Sequence, residues 1–361
     1  NATRDGFVLW VDTWDPHEPF DPPPHYLRMY GEPGYDGQAL IYPEYGRGEY
    51  MTDAERNHVR ALYAGEVTMV DTWVGYLLDT VERLGLLDNT LIIHTSDHGH
   101  LFGDHDLQGK PGGQLGTLFE PTTRIPLMVR HPDGLGAGQR IAPIVQPPDI
   151  LPTVLDFLGV PIPPSVQGRS ILPLLRGEVE RLHERAFSGR FPQGPFYAPL
   201  ARAFDGFAGA DRVTEPLTVT TEEWALICAP APWPSRLYNL TQDPGQTRNV
   251  IDAYPEVAGD LNRDLIAFLE SYGSPADYVA KFRWPPAAAP GSAEGDVALF
   301  TIRDRTGRRI AFPTRAEAET CVIPGATEPA VEETTLHALT REDPRALVHI
   351  YGQYYRAEEL A

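Results

Sequence analysis

Two short apolar runs, Phe7-Val8-Leu9-Trp10-Val11 and Thr90-Leu91-Ile92-Ile93-His94-Thr95, each stop at a polar cluster, and a long amphipathic segment separates them. A continuous apolar run of this length is the pattern of a strand buried on both faces. The first run ends in Asp12-Thr13-Trp14-Asp15-Pro16-His17-Glu18-Pro19-Phe20, the second in Ser96-Asp97-His98-Gly99. Between them, Thr52-Asp53-Ala54-Glu55 has the S/T-x-x-E form of a capping box, in which Thr52 and Glu55 satisfy each other's free backbone donors. From there Val59, Leu62, Tyr63, Val67, Val70, Val74 and Leu77 recur at three- and four-residue steps, and Gly85 is placed to end the helix in a left-handed conformation. A strand, a long covering helix and a second strand predict parallel pairing in an α/β sheet. In such sheets functional groups gather just beyond the strand C-termini. Both polar clusters are then expected at one edge.

The rest of the chain is read more coarsely. Residues 21–51, rich in Pro, Gly and Tyr, form a surface excursion. Arg124-Ile125-Pro126-Leu127-Met128-Val129-Arg130 is a third strand, with Pro126 at an end or edge, and Asp149 to Leu158 is a helix closed by Gly159. From about Arg185 short strands alternate with turns, at Leu217-Thr218-Val219-Thr220, Trp224-Ala225-Leu226-Ile227-Cys228 and Arg236-Leu237-Tyr238-Asn239-Leu240, and a helix follows from Pro255 to Tyr272. Trp284 to Ser292 has linker composition. Beyond it, Val297–Ile302 and Arg308–Phe312 flank the turn Asp304-Arg305-Thr306-Gly307, and helical stretches follow near Arg315 and Pro344. The expected divisions are an α/β part over 1–184, a small α+β subdomain over 185–275, and a linker and tail over 276–361. The tail carries no assignable chemistry and reads as a packing or oligomerisation appendix.

Charge narrows the classes of partner. The 361 residues carry 30 Lys and Arg against 50 Asp and Glu, a net charge of −20. That balance gives no general attraction to nucleic acid or anionic membrane, so an anionic substrate must be held by a local, preorganised site. No apolar run approaches the ~18 residues of a membrane span. Cys228 and Cys321 are too few for a disulfide scaffold and stand in no zinc-binding spacing. Asn1 enters the first apolar run without an initiating Met or a signal segment, which reads as a chain whose beginning lies further upstream and leaves localisation open. Asn1-Ala2-Thr3 and Asn239-Leu240-Thr241 fit the short glycosylation pattern, which is frequent by chance.

The chemistry concentrates between Asp97 and Lys110, where carboxylates, imidazoles and one ammonium directly follow a strand. Asp97 and His98 can bind a divalent cation while Lys110 supplies positive charge to an anionic substrate; a solvated polar loop has the same composition. His100, Asp104, His105, Asp106 and Arg124 suit either a pocket wall or bonding within the loop.

These residues carry a family resemblance. Thr95-Ser96-Asp97-His98-Gly99, then Gly103-Asp104-His105, then Lys110 twelve residues after His98, resembles the sulfatase branch of the alkaline-phosphatase superfamily. Asp15-Pro16-His17-Glu18-Pro19-Phe20, Gly85-Leu86-Leu87-Asp88-Asn89-Thr90, Arg124-Ile125-Pro126-Leu127, Asp149-Ile150-Leu151-Pro152-Thr153 and Leu237-Tyr238-Asn239-Leu240-Thr241-Gln242-Asp243-Pro244 resemble the family in the same order. The likeness stops near Gly273. It implies an alkaline-phosphatase-like mixed sheet flanked by helices, its N-terminal part outside this chain, followed by a small α+β subdomain. By that resemblance Asp97 and His98 are metal ligands, usually for calcium, with manganese or zinc open because imidazole is an unusual ligand for so hard a cation. Lys110 contacts the sulfate oxygens, and His17 binds the sulfate and serves as general acid to the leaving alcohol.

The family's nucleophile, a formylglycine made within a C/S-x-P-x-R motif, has no counterpart in this sequence, since neither Cys228 nor Cys321 is followed by the required Pro and Arg. The implied function is hydrolysis of a small sulfate ester, with the nucleophile supplied by an upstream segment. Phosphonate monoester or phosphodiester hydrolysis is the near alternative, suggested by the Gly-Asp-His…Gly-Lys loop. A non-catalytic scaffold that retains the fold is the alternative from a different class.

Overall fold

The structure is a computed structural model, and it describes residues 6–111, 118–189, 215–230, 234–284, 298–304, 307–312, 315–320, 331–350 and 353–357. Cys321, the linker beyond Trp284 and Asn1-Ala2-Thr3 lie outside the described residues. The chain divides into two compact units, one of residues 1–43 and 49–86, the other of residues 44–48 and 87–361.

The first unit is organised by the helix Asp53–Arg83. The capping box forms as the sequence predicts: Thr52 Oγ1 accepts from the Glu55 N–H at 3.3 Å, and Glu55 Oε2 accepts from the Thr52 N–H at 2.8 Å. At the other end Gly85 adopts φ +69°, and the Leu86 N–H bonds to the Val81 carbonyl at 3.1 Å, closing the last turn. The first half of the helix buries Val59, Ala61 and Leu62, and the buried ring of Phe20 meets Tyr63 edge-on at 5.6 Å. The second half is open, with Trp73 64% and Tyr76 60% exposed, so it does not cover a sheet as expected.

Phe7–Val11 is likewise not a buried strand. Its residues are 47–78% exposed and form no strand. An apolar run becomes a two-face-buried strand only when neighbours supply ladder partners at its edges and cover at its faces. Among the described residues no strand pairs with it.

Among the described residues the second unit holds three sheets. Its strands are β1 (Tyr45–Arg47), β2 (Ile92–Thr95), β3 (Leu101–Phe102), β4 (Leu107–Gly109), β5 (Leu127–Arg130), β6 (Ala186–Ser188), β7 (Leu217–Thr220) and β8 (Trp224–Cys228). They continue with β9 (Arg236–Asn239), β10 (Ala298–Arg303), β11 (Arg309–Phe312), β12 (Glu332–Thr335), β13 (Leu347–Ile350) and β14 (Gln353–Arg356). β2 pairs with β5 in the register Ile92↔Arg130 to Thr95↔Leu127, and the pairing is antiparallel. The expected parallel partner for β2 was the Phe7–Val11 run, and that run forms no strand. Pro126 stands just outside β5, where its missing N–H costs no ladder bond.

β6 to β9 form an antiparallel meander in chain order, and the helix Pro255–Ser271 packs on it. Leu261, Leu265 and Leu269, one helical face, join Val219, Leu226 and Leu237 in a single core. Asn262 on that face closes the junction: its Nδ2 donates to the Phe282 carbonyl at 2.6 Å and to Cys228 Sγ at 3.1 Å, and its Oδ1 accepts from the Trp284 N–H at 2.9 Å. Burial pushes the Cys228 thiol up to about 11, so this cysteine is structural and unreactive.

The third sheet is mixed and eight-stranded, in the order β12-β10-β11-β13-β14-β1-β4-β3. The β10–β11 hairpin forms where the turn signal places it. Five of the eight strands come from the tail. They share a core with β3, β4 and the meander, in which Leu299, Leu339 and Val348 meet Leu101, Leu107, Phe119 and Tyr238.

Replacing Asn262 by Ala strands the Phe282 carbonyl and the Trp284 N–H in a buried place. The expected loss is about 2–4 kcal/mol, since each orphaned buried group costs about 1–3 kcal/mol. Denaturant unfolding measures it, and a loss under about 0.5 kcal/mol, the level of an ordinary surface change, contradicts the role given to this side chain.

Candidate active site

His17 lies in the first unit, in a turn closed by its own N–H to the Trp14 carbonyl at 3.0 Å. Its Nδ1 is 2.7 Å from the Glu18 carbonyl oxygen and 3.1 Å from Glu18 Oε2, and the Trp14 ring lies against it at 4.4 Å. Both neighbours of Nδ1 are acceptors, so Nδ1 carries the proton and Nε2 is the nitrogen that can exchange one with a ligand. Glu18 itself is buried, 1% exposed.

A second carboxyl supports this turn. Glu66, buried on the helix Asp53–Arg83, accepts the Asp21 N–H at 2.8 Å through Oε1, while its Oε2 has no hydrogen-bond partner among the described residues. Burial, reinforced by Asp15, Asp21 and Glu18 and opposed by the Asp21 hydrogen bond, pushes its carboxyl up to about 7. Sequence reading passed over Glu66. The available signal was a charged residue four positions after Leu62, on the apolar stripe itself.

In the second unit, Asp97 and His98 follow β2 directly. The Thr95 hydroxyl donates to the Pro126 carbonyl at 2.9 Å, and the Ser96 hydroxyl donates to the His98 carbonyl at 2.9 Å, fixing the turn. Asp97 Oδ1 accepts the His98 N–H at 2.8 Å. His98 Nδ1 donates to the Gly99 carbonyl at 3.0 Å, and Nε2 stands 3.3 Å from Asp97 Oδ2. An imidazole held through Nδ1 with Nε2 beside a carboxylate oxygen is a donor pair suited to a divalent cation. Gly99 is obligatory here, because a Cβ would fall 1.9 Å from the Pro121 carbonyl oxygen. The pair is partial as a metal site. Among the described residues no three or more His, Cys, Asp or Glu converge, whereas Ca2+ takes about six to eight oxygens.

Lys110 follows β4, on the eight-stranded sheet. β3 and β4 form a tight antiparallel pair, Leu101↔Gly109 and Phe102↔Gln108, whose connection is Gly103 to Asp106. Within it His105 adopts φ +56° and stacks on Phe119 at 3.6 Å, and Arg47 Nη1 donates to the His105 carbonyl at 3.0 Å. Burial holds the His105 pKa below the usual imidazole range. The Gln108 amide nitrogen lies 3.3 Å from His100 Nε2, and His100 meets Tyr45 edge-on at 6.2 Å. Lys110 Nζ lies over the Tyr45 ring, 5.6 Å from its centre. Arg124 is 81% exposed and paired with Glu120 at 3.8 Å, a surface contact. Of the four expected site residues, Asp97 and His98 are brought together, Lys110 is fixed on a different sheet of the same unit, and His17 belongs to the other unit.

The mixed α/β architecture matches the fold of solved sulfatases, among them a putative sulfatase of Bacteroides fragilis with a TM-score of 0.55 at 21% identity, covering 74% of this chain and 54% of that one. Residues 1–160 match the sulfatase family profile and residues 115–270 match that of the C-terminal region of N-sulphoglucosamine sulphohydrolase. Arylsulfatase K of Bos taurus is 29% identical over 217 residues, covering 60% of this chain and 37% of that protein. The N-acetylglucosamine-6-O-sulfatase of Bacteroides thetaiotaomicron is 36% identical over 152 residues, covering 42% of this chain and 24% of that protein. The crystal structure of phosphonate monoester hydrolase from Agrobacterium radiobacter superposes with a TM-score of 0.58 at 26% identity, covering 72% of this chain and 55% of that one. Over residues 1–270 the chain is thus similar to the sulfatases, and the matched part spans less than half the length of these curated relatives.

The Glu66 carboxyl gives a pH signature. Unfolded, it ionises near its ordinary 4.5; folded, it keeps its proton up to about 7. Between those values the unfolded state binds fewer protons, so this group's contribution to stability falls as pH rises from about 4.5 through about 7. Denaturation midpoints of wild type and Glu66→Gln on either side of this window test it. The variant should lose less stability across the window than wild type, and equal losses contradict the assignment.

Proposed function

We propose that this chain supplies part of the active site of a sulfuric ester hydrolase, cleaving the S–O bond of a small sulfate ester. The observation that carries the reading is Lys110, whose ammonium is held at the end of β4 in the sulfatase motif order, twelve residues after the Asp97-His98 pair. In an acidic chain of net charge −20, a fixed cation is what an anionic group needs for local binding.

Lys110 binds the equatorial oxygens of the sulfate and stabilises charge that grows on them as the nucleophile adds. His17, with Nδ1 held by Glu18, binds the ester through Nε2 and, when protonated there, donates to the departing alkoxide oxygen, so that the leaving group departs as a neutral alcohol. Asp97 and His98 are proposed to hold a divalent cation, calcium by family likeness with manganese or zinc open, together with ligands beyond the described residues. That cation would neutralise sulfate charge as a Lewis acid. The attacking oxygen is assigned to a formylglycine from a segment outside this sequence. Residues 1–184 are assigned to the catalytic part and 185–275 to the C-terminal subdomain.

The likeness to a phosphonate monoester hydrolase supports a second reading, in which the same groups bind a phosphonate. Aryl sulfate and aryl phosphonate turnover by the whole protein separates the two. Turnover of neither under any divalent metal supports the scaffold reading instead.

Lys110→Ala should lower kcat/KM for the preferred ester by about 10²–10³-fold with little change in melting temperature. His17→Ala should cost about 10²–10⁴-fold for an alkyl ester and much less for an activated aryl ester, whose leaving group needs no proton. Equal losses on both esters would remove His17 from the acid role.

A further inference from the structure

The tail beyond residue 297 has no role in the reading above and lies outside both family matches, yet it is built into the sheet that carries Lys110. We propose that this tail is a positioning element of the anion site, with β14 and β1 holding the Tyr45 ring as the platform on which Lys110 rests. The proposal rests on the assignment of Lys110 to the substrate's anionic group.

A continuous series of contacts leads from the tail to the lysine. β14 pairs in parallel with β1, Tyr45↔Gln353 and Gly46↔Tyr354, and β1 pairs on its other edge with β4, Gly46↔Gln108. Gly46, at φ +103°, is where the two backbones come closest: a Cβ there would fall 2.4 Å from both the N and the O of Tyr354. The Tyr45 ring then lies against Gly109, where a Cβ would be 2.2 Å from the ring edge, and Lys110 Nζ sits over the same ring. The Tyr45 ring thus packs directly on the residue that precedes Lys110.

A close imidazole–carboxylate contact and an ion pair also join the tail to this stack. His349 Nε2 on β13 lies 2.6 Å from Glu44 Oε2, one residue before β1. Arg356 Nη2 on β14 lies 2.8 Å from Asp106 Oδ2, within the connection that leads into β4. Asp106 is held at φ +59°, a left-handed conformation uncommon for residues with a side chain. Tail and loop also share one apolar core, so the tail is docked on the loop and does not hang beside it.

The test is steady-state hydrolysis of 4-nitrophenyl sulfate by the whole protein, with inorganic sulfate as competitive inhibitor. Tyr45→Leu should raise KM and the sulfate inhibition constant together by about fivefold, the range of a cation–π contact, with a smaller effect on kcat. Tyr45→Phe, which keeps the ring, should recover most of that loss. Arg356→Gln should raise KM in the same direction, and because its partner Asp106 is half exposed this variant tests the proposal if Tyr45→Leu misfolds. In a Lys110→Ala background, neither change should weaken binding further. Undiminished effects in that background, or wild-type constants in Tyr45→Leu and Arg356→Gln while Lys110→Ala is impaired, overturn the role of the tail alone. Wild-type constants in Lys110→Ala overturn the functional reading itself.

Discussion

A strand of three residues, Tyr45–Arg47, is the constraint on which the surroundings of Lys110 depend. It has strand neighbours on both edges, β14 on one side and β4 on the other, so its backbone groups are paired within the sheet. Because Gly46 lacks a Cβ, β14 can approach to a distance that any other residue would forbid. Everything beside Lys110 follows from that placement: the Tyr45 ring under the ammonium, Arg47 reaching the His105 carbonyl, and the tight β3–β4 pair that ends at Gly109.

Electrostatics gives the other half of the account. A protein with a net charge of −20 repels a sulfate at long range, and attraction has to be created within a few ångströms by groups whose positions are fixed. Lys110 is fixed by packing, and His98 by its Nδ1 bond to Gly99. Around His17 the problem is inverted, because Asp15, Glu18, Asp21 and Glu66 crowd negative charge into a partly buried turn. Burial, together with that crowding, keeps Glu66 protonated up to about 7, while Glu18 lies 3.1 Å from the His17 imidazole.

What could be read from the sequence was what local chemistry determines. The capping box at Thr52, the stop at Gly85, the β10–β11 hairpin and the meander with its helix all depend on residues near one another in the chain, and all formed. The composition of the Asp97–Lys110 stretch was equally plain. What failed depended on partners distant in sequence. Phe7–Val11 has the pattern of a buried strand and is exposed, because apolarity states a need for neighbours without supplying them. β2 took an antiparallel partner, since pairing direction is settled by which strand is available. The tail gave no motif, because its contribution is made by backbone pairing and by Arg356 and His349, which look like ordinary surface charges in the sequence. Glu66 was visible only as a charge on an apolar stripe.

The central claim is that these groups serve cleavage of a sulfate ester at sulfur. Hydrolysis of an aryl sulfate by the whole protein in H2(18)O, with the products analysed by mass spectrometry, tests it most directly. The expected result is 18O in the inorganic sulfate and none in the phenol. Label in the phenol, or no hydrolysis with any divalent metal, would contradict the account.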